Sequence, residues 1–373
     1  MTPLVLTPLT GVPEVAAGDD LVALLLAAVE RAGTGWAEGD VLVVSSKVAS
    51  KALGLAVGLD DLDPADEPGR LARKESVVAA QTSWVVAERA SGDDGRGVTR
   101  VVKAAAGPVM AAAGVDASNT GGVDHLLLLP DDPDAVARDL RAGLRTATGL
   151  RRLGVVLSDT AGRAWRVGQT DFALGAAGVL VADDLRGGVD ADGRPLAVTT
   201  RAVGDELAAA ADLVKGKVAA VPAAQLRGLE PELVTDEDAP GAGALVRTGP
   251  QDWFGQGRAE AVRSALGAAP GSEAARRVGL PAAGPEPVGP RLARAVTLAL
   301  LEAPDAGADV GPGAGGPGGT VARVVLTDQD PVGLGLVTGR LLVALHGEWL
   351  EGVLTSRDPA GVVVAVRDRL AAG

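Results

Sequence analysis

The sequence predicts a protein of mixed helices and strands in two parts, a larger first part and a smaller second one. Three observations lead there. Short continuous apolar runs, Val41-Leu42-Val43-Val44 and Gly154-Val155-Val156-Leu157, have the length and composition of buried strands. Longer stretches repeat apolar residues at three and four positions, the period of an amphipathic helix. After about residue 250 the composition shifts, and stretches rich in Gly and Pro break up the patterns.

The elements follow in order. Residues 4–6 are expected as a short strand and Gly11-Val12-Pro13-Glu14 as a turn. Asp19 or Asp20 is placed to cap the next helix, whose Leu21, Leu24, Leu25 and Val29 share a face. A helix over 45–51 would set Lys47 and Lys51 one turn apart. Residues 55–70, rich in Asp, Pro and Gly, are expected as loop, 73–88 as helix and 91–97 as a turn. Residues 99–103 and 108–113 form an expected hairpin. Residues 131–144 start acidic and turn basic, in line with the helix dipole. The strand over 154–157 is expected to end at Ser158-Asp159-Thr160. The clearest helix is 199–215, with Ala202, Val203, Leu207, Ala210, Ala211 and Val214 as its stripe and Lys215-Gly216-Lys217 as its stop. Beyond it, 267–290 is broken by Gly and Pro, 292–301 is helical, and 303–319 is a flexible linker. Residues 321–326, a helix near 335–345 and 361–370 complete a small α/β unit.

Bulk properties exclude several classes. An apolar fraction of 47% is ample for a packed interior. A formal net charge of −13 argues against a general nucleic-acid-binding surface. With no cysteine, neither a disulfide, a thiolate metal site nor a Cys nucleophile is possible. His125 and His346 are the only histidines, so any metal is held mainly by oxygen, which favours Mg²⁺ or Mn²⁺. The N-terminus lacks the pattern of a signal peptide, and no segment reaches the roughly 18 to 20 apolar residues that span a bilayer. A cytoplasmic protein without a membrane partner is expected.

Four constellations carry possible chemistry. Gly114-Val115-Asp116-Ala117-Ser118-Asn119-Thr120 gathers a carboxylate, a hydroxyl and an amide, which can hold a metal and a ligand or merely serve an Asx turn. Ser158-Asp159-Thr160-Ala161-Gly162-Arg163-Ala164-Trp165-Arg166-Val167-Gly168-Gln169-Thr170-Asp171 follows a buried strand, where open sheets bind ligands. Arg163 and Arg166 can each clamp phosphate or carboxylate oxygens. The stretch is not a Walker A loop, because Gln169 stands where Lys should be. Ser45-Ser46-Lys47 with Lys51 suits phosphate binding, or an ordinary capped helix with solvated lysines. Asp205-Glu206 offers a metal carboxylate, or a solvated acidic helix start.

Taken in order, Val12-Pro13-Glu14, Ser45-Ser46-Lys47-x-x-Ser50-Lys51, Gly114-Val115-Asp116-x-Ser118-Asn119, the 158–171 string, and Asp205-Glu206-Leu207-Ala208 with Lys215-Gly216-Lys217 closely resemble the coenzyme F420-0:L-glutamate ligase family. The resemblance covers about residues 3–250. It implies an α+β fold, a homodimer, and a ligase domain over 1–250, followed by a short region of unknown role over 251–373 with its linker at 303–319. It implies a GTP-dependent ligase that adds L-glutamate to F420-0 through gamma-linked amides by way of an acyl phosphate. Carried over by motif, Asp116 and Asp159 ligate one divalent cation, and Thr160 and Glu206 serve a second. Mg²⁺ or Mn²⁺ fits, with K⁺ as a further candidate. Val12, Pro13, Glu14, Val15, Ser46, Lys51 and Asn119 would contact GTP. Asp116, Asp159, Arg163 and Arg166 are the expected catalytic group. The arginine roles are inferred from charge, and Arg166 could equally grip an anionic group of the F420 precursor. Residues 90–103 look irregular against the family pattern. Relatives can carry a C-terminal flavin-binding domain, but the tail here is short and lacks an Arg-rich FMN signature, so no FMN is expected. The alternatives are a bifunctional ligase with an FMN-dependent reductase domain and a non-catalytic nucleotide-binding regulator.

Overall fold

The computed structural model describes residues 3–91, 97–117, 124–216, 218–237, 239–248, 258–269, 271–279, 286–313, 319–358 and 361–370. Ser118, Asn119, Thr120 and most of the expected 91–97 turn lie outside them. The protein is α+β, and the chain divides into two units, Met1–Val246 and Arg247–Gly373.

The first unit opens with strand β1 (Val5–Pro8) and helix α1 (Leu21–Ala32). Asp20 caps α1 by accepting from Ala23 N–H at 3.0 Å, and Gly33 ends it in the left-handed region at φ 70°. β2 (Asp40–Ser45) runs directly into α2 (Ser46–Ala52). β3 (Ala56–Gly58) and the first turn of helix α3 (Glu67–Ala80) lie within the stretch expected to be loop, whose remainder is neither helix nor strand. Asp66 starts α3 by accepting from Gly69 N–H at 3.0 Å, and Pro68 sits in the first turn, where its missing N–H costs nothing. The helix expected over 73–88 is therefore displaced toward the N-terminus. Its second half is strand β4 (Thr82–Ser91), built on the β-favouring Thr82, Trp84, Val85 and Val86. β5 (Gly97–Ala104) pairs with β4 and with β6 (Val109–Ala111), and the β5–β6 pair is the hairpin read from the sequence. β7 (His125–Leu127) pairs with β3.

Helix α4 (Pro133–Thr148) leads to the long strands β8 (Leu153–Arg163) and β9 (Arg166–Ala177). β8 does not stop at Ser158. It continues through Asp159 and Thr160 and folds back antiparallel on β9, so the polar 158–171 string is a hairpin rather than a loop. A short pair, β10 (Asp183–Asp184) and β11 (Thr200–Arg201), precedes α5 (Val203–Asp212). The helix expected over 199–215 starts later, because Thr200 and Arg201 are spent on a strand pair, and it ends at Asp212. β12 (Ala223–Arg227) completes the main sheet, ordered β1-β12-β2-β8-β9. Only β2 and β8 run parallel in it.

That sheet is covered on both faces, which explains why β2 reads as an unbroken apolar run. Leu42 and Val44 pack with Leu25, Val29, Leu140 and Leu144 of α1 and α4. Val41 and Val43 pack with Val203, Leu207 and Ala211 of α5. Gly175 of β9 lets α4 approach closely, since a Cβ there would lie 2.3 Å from the Pro133 carbonyl oxygen.

The second unit holds α6 (Arg258–Ala265), α7 (Glu273–Val278), α8 (Val288–Leu300), β13 (Gly307–Pro312), β14 (Thr320–Thr327), α9 (Pro331–Gly347), β15 (Leu350–Asp358) and β16 (Gly361–Asp368). Its sheet, ordered β13-β14-β16-β15, is antiparallel throughout, so the unit is not the α/β arrangement the sequence suggested. Part of the expected linker is strand β13, recruited by pairing with β14 despite its Gly and Pro content. Leu298, Val324, Leu326, Val337, Leu341, Leu345 and Val364 form its core. Glu348 is buried there among arginines, accepting from Arg263 at 2.9 Å and from Arg294 at 2.6 Å. Burial alone would lower the Arg294 pKa, but Glu286 and Glu348 overcome it and hold the guanidinium charged.

Candidate active site

The parallel pairing of β2 with β8 sets Ser45 opposite Ser158. Ser46 and Lys47 on α2 therefore leave the same end of the sheet as Asp159 and Thr160 on β8. This carboxyl end of a parallel pair is where a crevice opens in such sheets. Ser46 is fully buried, and its Oγ has no hydrogen-bond partner. Leaving a buried hydroxyl unpaired costs roughly 1–3 kcal/mol, so the atom fits a site that a polar ligand completes.

Lys47 Nζ lies 2.5 Å from Asp116 Oδ2. Asp116 is fixed through its backbone. Its N–H donates to the Leu127 carbonyl at 3.2 Å, and its own carbonyl accepts from Leu127 N–H at 2.7 Å. Arg70 holds the start of that segment by donating to both Asp124 oxygens, at 2.6 and 2.7 Å. Lys51 stands one turn after Lys47, as the spacing predicts, but it pairs with Glu14 instead. The Val12–Val15 segment is anchored there too, with Val15 only 4% exposed and Val12 against the same core.

Asp159 is the electrostatic centre. Burial pushes its carboxyl up to about 6, and the charges of Asp171 and Asp116 push the same way. A hydrogen bond from Thr160 N–H and the Lys47 charge oppose them without prevailing. Asp171 has the contrary balance. Burial raises it, but the Lys215 charge and hydrogen bonds from Lys215, Thr160 and Ser158 outweigh burial and hold it below the usual carboxylate range. Lys215 Nζ donates to Asp171 Oδ2 and Ser158 Oγ, each at 2.6 Å. Ser158 Oγ donates to Asp171 Oδ2 at 2.8 Å, and Thr160 Oγ1 donates to Asp171 Oδ1 at 2.7 Å. Asp205 turns inward and accepts from Ala173 N–H at 2.9 Å, and its burial raises its pKa.

The structure thus gathers Asp116, Asp159 and Thr160 from the expected residues, sets Ser46 at the same end of the sheet, and brings Lys51 to Glu14. The others stand apart in what they touch. Glu206 faces Arg201 at 3.5 Å with its side chain 57% exposed. Arg163 and Arg166 are exposed near the tip of the β8–β9 hairpin, beside Trp165, which is 95% exposed and has φ 62°. Asn119 lies outside the described residues. Lys47 and Asp171 belong to motifs that the sequence marks without giving either a role of its own, and Lys215 reads there only as part of a helix stop and of the family pattern. Nothing in the spacing links Lys215 to Asp171, because the two are 44 positions apart.

Among the described residues no three His, Asp or Glu side chains are grouped closely enough to hold a metal ion by themselves. The donor set nonetheless suits a hard cation. Asp159 is a buried carboxyl in the field of Asp171 and Asp116, and Thr160 follows it on β8, so carboxylate and hydroxyl oxygens are at hand.

Residues 11–228 match the F420-0:Gamma-glutamyl ligase family. The coenzyme F420:L-glutamate ligase of Methanopyrus kandleri is 38% identical over 249 residues, covering 65% of this chain and 93% of that protein. The ligase of the same name from Halobacterium salinarum is 41% identical over 212 residues, 56% of this chain and 79% of that protein. The one from Natronomonas pharaonis is 39% identical over 217 residues, with the same shares. The family match takes in more than half the chain and every site residue described above, and so the chain belongs to the F420-0:gamma-glutamyl ligase family.

Proposed function

We propose that this protein joins L-glutamate to coenzyme F420-0 through a gamma-linked amide, using GTP. Family membership and the names of its relatives support the substrates. The observation that supports the chemistry is the register of β2 with β8, by which the buried unpaired Ser46 and Lys47 leave the same end of the sheet as a carboxyl pushed up to about 6. That combination suits a phosphate-rich ligand bridged to carboxylates by divalent cations.

A carboxylate is a poor electrophile. In the proposed reaction a carboxylate oxygen of F420-0 attacks the γ-phosphorus of GTP, and the bond to the β,γ-bridging oxygen breaks to release GDP. The glutamate amine then attacks the acyl carbon, phosphate leaves, and the amine sheds a proton. Phosphoryl transfer depends on positioning and charge stabilisation more than on covalent help. Bound Mg²⁺ or Mn²⁺ would neutralise the phosphate oxygens as charge develops. Asp116 and Asp159 would hold one such ion. Thr160 would serve a second, since successive side chains of a strand point to opposite faces and Thr160 therefore turns away from Asp159. Glu206 could join it only by leaving Arg201. Ser46, Lys51 and the Val12–Val15 segment would contact GTP, with Lys51 exchanging its Glu14 partner for phosphate. Arg163 and Arg166 are exposed and would meet an anionic substrate. A homodimer would also cover exposed Trp165 and Val167.

The test is incubation with F420-0, GTP, Mn²⁺ and L-glutamate, followed by mass spectrometry. A glutamylated product with equimolar GDP is expected. Absence of both refutes the proposal.

A further inference from the structure

We infer that Asp171 and Lys215 are positioning residues that fix which way the Thr160 hydroxyl points, so that its oxygen is offered to a cation. The inference deepens the reading above and rests on Thr160 serving the second divalent ion.

The group is buried and closed. Asp171 is 4% exposed, the Lys215 side chain is 4% exposed, and Ser158 is fully buried. Thr160 stands directly across from Asp171 in the β8–β9 ladder. A hydroxyl has one proton and two lone pairs. Here the Thr160 proton goes to Asp171 Oδ1 at 2.7 Å, so the lone pairs face elsewhere. An ionised carboxylate can only accept, and this gives the bond its direction. Lys215 keeps that direction safe by occupying the other oxygen, Oδ2, which also accepts from Ser158. The lysine is held by its own backbone. Its N–H donates to the Ala211 carbonyl at 2.9 Å, and Gly216 pairs with Val221 just before β12. Outer groups that orient metal ligands commonly matter by roughly 10- to 100-fold in metal affinity.

This arrangement gives an unusual expectation for two substitutions. In Asp171→Asn the Lys215 ammonium, a pure donor, attracts the amide oxygen to the Oδ2 position. The NH₂ group is then forced toward Thr160 Oγ1, which must accept, and its proton turns outward against any cation. In Asp171→Asn with Lys215→Met the ammonium is gone. The amide can flip, donating to Ser158 and accepting from Thr160 again. The double variant should therefore recover what the single variant loses, although it removes more of the native network. A role confined to stability gives the reverse order.

The experiment is Mn²⁺ titration by electron paramagnetic resonance on the full chain with a non-hydrolysable GTP analogue, beside a thermal melt of each variant. We expect wild type to bind two ions, Asp171→Asn to bind the second roughly 10- to 100-fold more weakly, and the double variant to return most of that loss. Thr160→Val should show the same weakening, with Asp171→Asn adding nothing further. A wild type with two ions whose folded Asp171→Asn variant keeps both at native affinity overturns this inference alone. So does a double variant that binds the second ion no better than the single one. If Asp171→Asn does not fold, the charge-neutral double variant decides: loss of its second ion overturns the inference. A wild type that binds only one ion overturns the two-cation reading and this inference with it.

Discussion

Replacing Asp159 by Asn should stabilise the fold while abolishing turnover. In the metal-free protein the carboxyl is pushed from 3.8 up to about 6 by burial and by the charges of Asp171 and Asp116. A shift of about 2 units at roughly 1.4 kcal/mol each means that the ionised side chain opposes folding by about 3 kcal/mol at neutral pH. The folded state binds this proton more tightly than the unfolded chain, so stability falls as pH rises from about 4 to about 6 and stays reduced above that. The neutral amide escapes the penalty. Its advantage over wild type should therefore be about 3 kcal/mol at pH 7.5, about half that at pH 5, and vanish below about pH 3.5. For a unit of this size, roughly 2–4 °C of melting temperature accompanies each kcal/mol. Calorimetry in EDTA should show the first unit of the variant melting some 6–12 °C higher at pH 7.5. Saturating Mn²⁺ with GTP should narrow or reverse the difference, because only the carboxylate gains a counter-charge. A variant no more stable than wild type at pH 7.5 in EDTA, or an advantage that does not shrink at pH 5, would refute the electrostatic account of this site.

Three other outcomes are expected. Lys51→Ala should weaken GTP binding roughly 10- to 100-fold by calorimetric titration, the cost of one charge-assisted hydrogen bond, and unchanged affinity would remove Lys51 from the nucleotide site. Asp40 is fully buried and accepts from Arg227 at 2.6 and 2.7 Å and from Gln225 at 2.8 Å. Asp40→Ala should cost about 1–3 kcal/mol in denaturant unfolding, because Gln225 loses a buried partner while Arg227, its side chain 37% exposed, can turn to water, and no loss at all would mean that the buried carboxylate does not support the fold. Glu348→Ala removes the buried carboxylate that Arg263 and Arg294 share, leaving Arg294 to Glu286 alone, and should open the second unit first to limited proteolysis.

What the sequence disclosed and what it hid have physical causes. Val41–Val44 was legible because a strand buried on both faces must be apolar at every position. The helix over 73–88 was misplaced because Val77, Val78, Ala79 and Ala80 merge with Val85 and Val86 into one apolar pattern, and only the pairing of β4 with β5 separates them. The 158–171 string announced its chemistry through residue types alone. Its shape did not show, because a hairpin depends on partners across the strands. The pairing of Ser45 with Ser158, which sends Ser46 and Asp159 out of the same end of the sheet, is a parallel register between strands more than a hundred positions apart, which no local period encodes. Lys215 looked like a helix stop, and its role depends on where α5 delivers it.

The place of β12 has a consequence for how the protein comes into being. It is the last strand of its sheet in the chain, yet it lies between β1 and β2. While the chain is still being synthesised, β1 and β2 have no shared neighbour, and the edge of β2 that β12 will cover stays open. Unpaired edges of that kind invite pairing with other chains. Only after Arg227 has emerged can the sheet close, one residue short of where the family match ends. A truncation before β12 would thus yield no weakened enzyme, only an unfinished sheet prone to join its neighbours, and fragments of this unit call for chaperones rather than for substrates.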